Sequence, residues 1–212
     1  ACPPDPTEFV RYLKNKTITP DATALHRAPT LSTTYTYKTL AALGSVINPW
    51  HVVDTERLEE EVEGVSSILQ STQYDYVDAV ADNLRHGRVA NEVVTLNGHS
   101  LITSYQYDLG PIQAPTFEFL STVVVVSSDL DAHTKSVINE TSLFTGQALL
   151  TRDDSGVEIR YVYDALQRVV SETVAPGKSS EATRQYSYVL CAQAGDQATQ
   201  TSINVKDGET VT

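Results

Sequence analysis

The sequence holds no methionine, one tryptophan and two cysteines in 212 residues, and its 15 lysines and arginines stand against 27 aspartates and glutamates. Each shortage closes off a class. A formal charge of -12 with scattered cations argues against nucleic acid, because binding phosphates needs clustered Lys and Arg. Cys2 and Cys191 lie near opposite ends with no C-x-x-C spacing, so neither a disulfide framework nor a zinc site is expected; a long-range bridge between them stays open. No apolar run approaches the roughly 20 residues that cross a bilayer as a helix, and the all-valine run Val123 to Val126 suits a strand. The five histidines (His26, His51, His86, His99, His133) show neither H-x-H nor H-E-x-x-H, and no glycine-rich phosphate loop occurs, so no metal and no cofactor are expected. The missing initiator and secretory leader, and an end that falls just after the turn pair Asp207-Gly208, lead to the expectation of a piece excised from a longer polypeptide.

Tyrosine, by contrast, is plentiful and ordered. Ten of eleven fall in Tyr-x-Tyr pairs: Tyr35/Tyr37, Tyr74/Tyr76, Tyr105/Tyr107, Tyr161/Tyr163 and Tyr186/Tyr188, with Tyr12 alone. Residues i and i+2 of a strand share a face, so each pair sets two rings side by side on one surface, and tyrosine favours strands. Successive pairs begin 39, 31, 56 and 25 residues apart, an irregular period in the range of repeat architectures. The longest gap offers Phe117-Glu118-Phe119 as a substitute pair.

Turn signals separate alternating segments. Between residues 87 and 108 a strand runs to Leu96, Asn97-Gly98 turns it, and a second strand reaches Tyr105-Gln106-Tyr107-Asp108. Asn-Gly between alternating runs marks a hairpin because both residues tolerate positive φ. A second unit passes from Gly146 through Leu150, turns at Asp153-Asp154-Ser155-Gly156 and returns to Tyr161-Val162-Tyr163-Asp164. A third begins at Arg168, turns at Pro176-Gly177 and reaches Tyr186-Ser187-Tyr188, and another hairpin is expected around Asp129-Leu130-Asp131. Residues 54–69 are ambiguous. Leu58, Val62, Val65 and Leu69 recur at helical spacing, whereas Glu63-Gly64 suits a turn with a return strand into Tyr74/Tyr76. The hairpin is expected, since every other pair ends such a strand. Residues 1–30, rich in proline, read as a loop-rich connection with a short helix around Glu8 to Lys14; residues 31–212 read as an all-β, antiparallel β-hairpin array.

The segment from Gly146 to Val170, with Asp154-Ser155-Gly156 followed by Tyr161-Val162-Tyr163-Asp164-Ala165-Leu166-Gln167-Arg168-Val169, closely resembles the YD repeat of the Rhs family. That pattern reads G, a D-x-x-G-like turn, then Y-x-Y-D-x-x-G-R-[VL]. Here Gln167 replaces the usual glycine and the first turn is compressed. Gly87-Arg88-Val89 supplies the G-R-V tail, and Tyr105-Gln106-Tyr107-Asp108 repeats the head. The motif residues are therefore Tyr105, Tyr107, Asp108, Gly146, Gly156, Tyr161, Tyr163, Asp164 and Arg168. The resemblance implies hairpin strips that spiral into a hollow shell around a toxin domain, within a larger secreted or cell-surface protein. The implied partners are neighbouring repeats and domains of the same polypeptide and the enclosed toxin. The family's shell-closing D-P-x-G-x core has no counterpart in these residues, so neither self-cleavage nor toxin activity carries over.

A passive role agrees with the physics. A lone two-stranded hairpin is marginal in water, and cross-strand tyrosine pairs contribute about 0.2–1 kcal/mol each once hairpins stack. A carbohydrate- or cell-surface-binding module is the second reading, because rows of tyrosine stack on sugar rings. A hydrolase using paired carboxylates is the third. Its candidates are Glu59-Glu60-Glu61-Glu63, Asp129/Asp131 and Asp153/Asp154, but turns are rich in aspartate anyway and no EF-hand spacing occurs. Asp108 and Asp164, each just after a tyrosine pair, are expected to cap turns. The sequons Asn15-Lys16-Thr17 and Asn139-Glu140-Thr141 matter only in a glycosylating host.

Overall fold

The computed structural model describes residues 12–21, 28–44, 48–111, 118–189, 199–206 and 209–211. Cys2, Cys191, His26, Phe117, the Asp207-Gly208 turn and most of the helix expected around Glu8 to Lys14 lie outside them. Among the described residues there are fourteen strands and no helix, which makes the chain all-β as the alternating pattern predicts. No helix is long and apolar enough to cross a membrane among those residues.

The chain falls into two compact units, residues 1–105 with 125–134, and residues 106–124 with 135–212. In the first, β1 (Asn15–Ile18), β2 (Thr30–Leu40), β3 (Trp50–Val62), β4 (Val65–Tyr76), β5 (Val89–Leu96) and the start of β6 (His99–Pro111) pair antiparallel in chain order. Two of its turns are two-residue hairpins with both residues at positive φ: Glu63 and Gly64 at 52° and 80°, and Asn97 and Gly98 at 51° and 80°. Such turns match the right-handed twist of the strands they join. Residues 54–69 are therefore a hairpin, not a helix. The helical spacing of Leu58, Val62, Val65 and Leu69 is accounted for by the turn between Val62 and Val65, which face each other across it. β1 falls within the expected N-terminal connection.

The second unit contains β8 (Thr134–Ser142) from Lys135 on, β9 (Ala148–Arg152), β10 (Glu158–Tyr163), β11 (Val169–Val174), β12 (Ala182–Val189), β13 (Thr199–Lys206) and β14 (Glu209–Val211), again antiparallel in chain order. β7 (Glu118–Ser128) precedes the Asp129–Asp131 turn. The Asp153 carboxylate organises the β9–β10 turn by accepting from the Ser155 and Val157 amides at 3.0 and 2.8 Å.

Little of this is buried. Among the described residues the buried apolar side chains are Leu40, Leu120 and Leu150. The chain exposes 14848 Å². A compact monomer of its 23.2 kDa would expose about 9700 Å², and two separate compact bodies of half that mass about 11700 Å² together.

In the first unit the packing concentrates around the connection between β4 and β5. There Trp50 meets the buried ring of His86 edge-on, with centroids 5.2 Å apart. The Ala79 amide donates to His86 Nδ1 at 3.0 Å, and Nε2 lies 3.0 Å from the Ala41 carbonyl oxygen, which assigns the Nε2–H tautomer. Asp82 accepts from the Leu84 and Arg85 amides, each at 3.0 Å, and pairs with the Arg85 guanidinium.

Candidate functional site: a tyrosine–glutamate ladder

Three of the five tyrosine pairs meet the next strand in the same register, while Tyr186 and Tyr188 pair with Ser202 and Gln200 without a bulge. Tyr35 pairs with Glu56 and Tyr37 with Val53; Tyr74 pairs with Glu92 and Tyr76 with Val89; Tyr161 pairs with Glu172 and Tyr163 with Val169. In all three, a bulge falls between the two pairings and adds one residue to the partner strand (Asp54, Ala90 or Val170). A bulge sharpens local twist and re-aims side chains, and its identical recurrence marks a repeat rather than a local irregularity. The signal was present in the sequence as Val-x-x-Glu at Val53–Glu56, Val89–Glu92 and Val169–Glu172, and the tyrosine-centred reading missed it.

The two tyrosines of a pair do different things. The second donates its hydroxyl to a backbone carbonyl near the start of the preceding strand: Tyr37 to Leu13 at 2.6 Å, Tyr76 to Val53 at 2.7 Å, Tyr163 to Ala148 at 2.6 Å and Tyr188 to Val169 at 2.7 Å. These bonds tie strand to strand where the ladder ends. The first tyrosine faces carboxylates. Tyr35 donates to Glu56 Oε1 at 3.4 Å and Tyr186 to Glu172 Oε2 at 3.2 Å, while Tyr105 is hydrogen-bonded to Glu92. Because Glu56 lies opposite Thr72 and Glu92 opposite Thr103, each glutamate is also diagonal to the next tyrosine. The result is an alternating row, Tyr35–Glu56–Tyr74–Glu92–Tyr105, on one face of β2 to β6, with a shorter version, Tyr161–Glu172–Tyr186, on β10 to β12. The row residues are half-buried.

The motif residues of the second unit form a turn clasp. Asp164 Oδ1 accepts from the Leu166 and Arg168 amides, both at 2.9 Å, and Oδ2 from Arg168 Nε at 2.8 Å. The Arg168 amide and guanidinium hold the Asp164 carboxyl below its ordinary value. Arg168 also lies over the Tyr188 ring, 4.3 Å from its centroid, a cation–π contact. Gln167, where the resembling pattern has glycine, takes a φ of 63°, the left-handed conformation that glycine adopts most easily. Gly146 and Gly156 close the neighbouring turns at 71° and 80°. Asp164 thus caps a turn as expected. Asp108 instead lies inside β6, which runs on to Pro111.

Between these loops lies a cleft of about 510 Å³ lined by Phe144, Gln147, Leu149, Tyr161, Tyr163 and Asp164, among others. No group of three or more His, Cys, Asp or Glu side chains among the described residues is placed to hold a metal ion. The Asp153 carboxylate is committed to its turn, and Glu59 and Glu60 accept from Ser66 and Ser67 hydroxyls at 3.4 and 2.9 Å.

Burial is the largest cause raising the phenol pKa above 10.0 for Tyr35, Tyr74, Tyr76, Tyr105, Tyr163 and Tyr186, and glutamates add to it at Tyr35, Tyr74, Tyr105 and Tyr186. Folding therefore favours the neutral phenol. That contribution is complete below pH 10 and is lost as pH rises through the higher folded values. Tyrosinate absorbance followed against pH should show these phenols ionising above the free-tyrosine range, together with loss of the β-sheet circular dichroism. Ionisation of every tyrosine near pH 10 with the sheet intact would contradict the ladder.

The fold and this site define a class: an all-β array of antiparallel hairpins whose strands are tied by tyrosine hydroxyls. No family model, no curated protein and no solved structure matches the chain.

Proposed function

We propose that the chain is a structural segment of an Rhs/YD-repeat shell, a length of hairpin wall that encloses or presents a toxin domain of a larger secreted protein. The observation that carries this reading is the thrice-repeated register of Tyr-x-Tyr against Val-x-x-Glu with its bulge. The hydroxyls of Tyr37, Tyr76, Tyr163 and Tyr188 are used on backbone carbonyls, which supports tyrosines that join hairpins rather than tyrosines that reach for a substrate. The large exposed area fits a sheet that works as one wall among others. Reading the gene on both sides of these residues, and imaging the whole polypeptide by electron microscopy, tests the proposal. Further Y-x-Y-D hairpins, an unrelated C-terminal region and a closed shell that protects it from protease are expected. A stop codon soon after Thr212 with a signal peptide upstream, or an open particle cut equally everywhere, overturns it.

A second reading, a module that binds cell-surface glycans, draws on the cleft beside Phe144, a residue that is 69% exposed. A glycan array with no hit removes it.

A further inference from the structure

The two ladders differ in one respect that bears on binding. In the second unit the residue paired with the ladder glutamate is a cation: Arg184 stands opposite Glu172 and its Nη1 lies 3.3 Å from Glu172 Oε1, between Tyr161 and Tyr186. In the first unit the corresponding positions hold Thr72, opposite Glu56, and Thr103, opposite Glu92. No lysine or arginine among the described residues pairs with either glutamate. The nearby cations are engaged elsewhere, Arg57 with Glu59 at 2.8 Å and Lys38 with Asp54 and Asp75 at 3.4 and 3.6 Å.

We propose that the Tyr35–Glu56–Tyr74–Glu92–Tyr105 face of the first unit is a docking surface for an extended, arginine- or lysine-rich protein segment, whose cations take the place that Arg184 fills in the second unit. Alternating rings and carboxylates suit such a segment. A guanidinium can lie on a tyrosine ring and hydrogen-bond the neighbouring carboxylate at once, as Arg168 does with the Tyr188 ring and Asp164. Side chains on alternate residues of an extended peptide share one face, about 6.6–6.8 Å apart. Because strands lie about 4.8 Å apart, carboxylates on β3 and β5 are about 9.6 Å apart across the sheet, so a segment crossing obliquely can address both. The charge of -12 on the chain favours encounter with a basic partner. The inference is independent of the wall reading, since a chain that forms no shell could carry this face and a shell wall could lack it.

The test uses the full chain and a fluorescein-labelled oligoarginine peptide, with anisotropy read at low and at physiological salt. Glu56→Gln with Glu92→Gln should weaken binding about tenfold. Glu61→Gln with Asp131→Asn removes the same charge from exposed positions of the same unit and should change it less than about twofold. Thr103→Arg, which copies the second unit's arrangement, should also weaken the peptide about tenfold while leaving the circular dichroism spectrum unchanged. It keeps the proposal testable if the double glutamine variant fails to fold. Equal weakening by both charge-removing pairs, undiminished binding by Thr103→Arg, or no binding at low salt would each overturn the proposal.

Discussion

Replacing Gly87 with alanine should lower stability by about 2–4 kcal/mol. Two costs add at this position. Gly87 sits at a φ of 81°, where a side chain costs about 1–2 kcal/mol, partly offset by the smaller unfolded-state entropy of alanine. The new Cβ would also stand 2.6 Å from Trp50 Cζ2 and 3.6 Å from Leu40 Cδ1. The indole has no simple retreat, because His86 packs against it and is itself held by the Ala79 amide and the Ala41 carbonyl. Overpacking of this kind costs about 1–3 kcal/mol. Gly98 is the control. It has nearly the same φ, 80°, with nothing within 4 Å of a built Cβ, so alanine there should cost about 1 kcal/mol. Trp50 is the single tryptophan, which makes its fluorescence a local probe of urea unfolding. Equal midpoints for the two variants would refute the packing of Gly87 against the indole.

Leu150→Ala should cost about 2–4 kcal/mol, the second large loss, whereas Val162→Ala in the same hairpin should cost less than about 1 kcal/mol. Leu150 is 7% exposed and Val162 is 56% exposed. Leu150 also lies opposite Glu140 on one side and Arg160 on the other. Burial raises the Glu140 carboxyl pKa against the pull of Arg160 and Arg152, so truncating the leucine would wet a carboxylate that the leucine helps to keep dry. Urea denaturation of both variants measures the difference. Equal losses would mean that the Val162 face is covered in solution by something other than the described residues.

Local physics made the hairpins legible before any coordinates. Asn97-Gly98, Glu63-Gly64 and Asp153 to Gly156 are turns because of backbone freedom and short side-chain bonds within a few residues, and tyrosine pairs report strand faces through the two-residue period. The turn role of Asp164 was legible for the same reason. Asp108 was not, because the end of a strand depends on its partner's length as well as on its own residues. The Trp50–His86–Gly87 packing joins residues 36 and 37 positions apart, and nothing in their spacing announces it.

The ladder divides in the same way. That tyrosines line one face was determined by the sequence alone, since any extended Tyr-x-Tyr must do so. That Glu56, Glu92 and Glu172 stand between them was decided by the register, and the register is shifted by a bulge at Tyr37, Tyr76 and Tyr163. A one-residue shift moves every later side chain to the other face, so the alternation of ring and carboxylate exists only once the strands have paired.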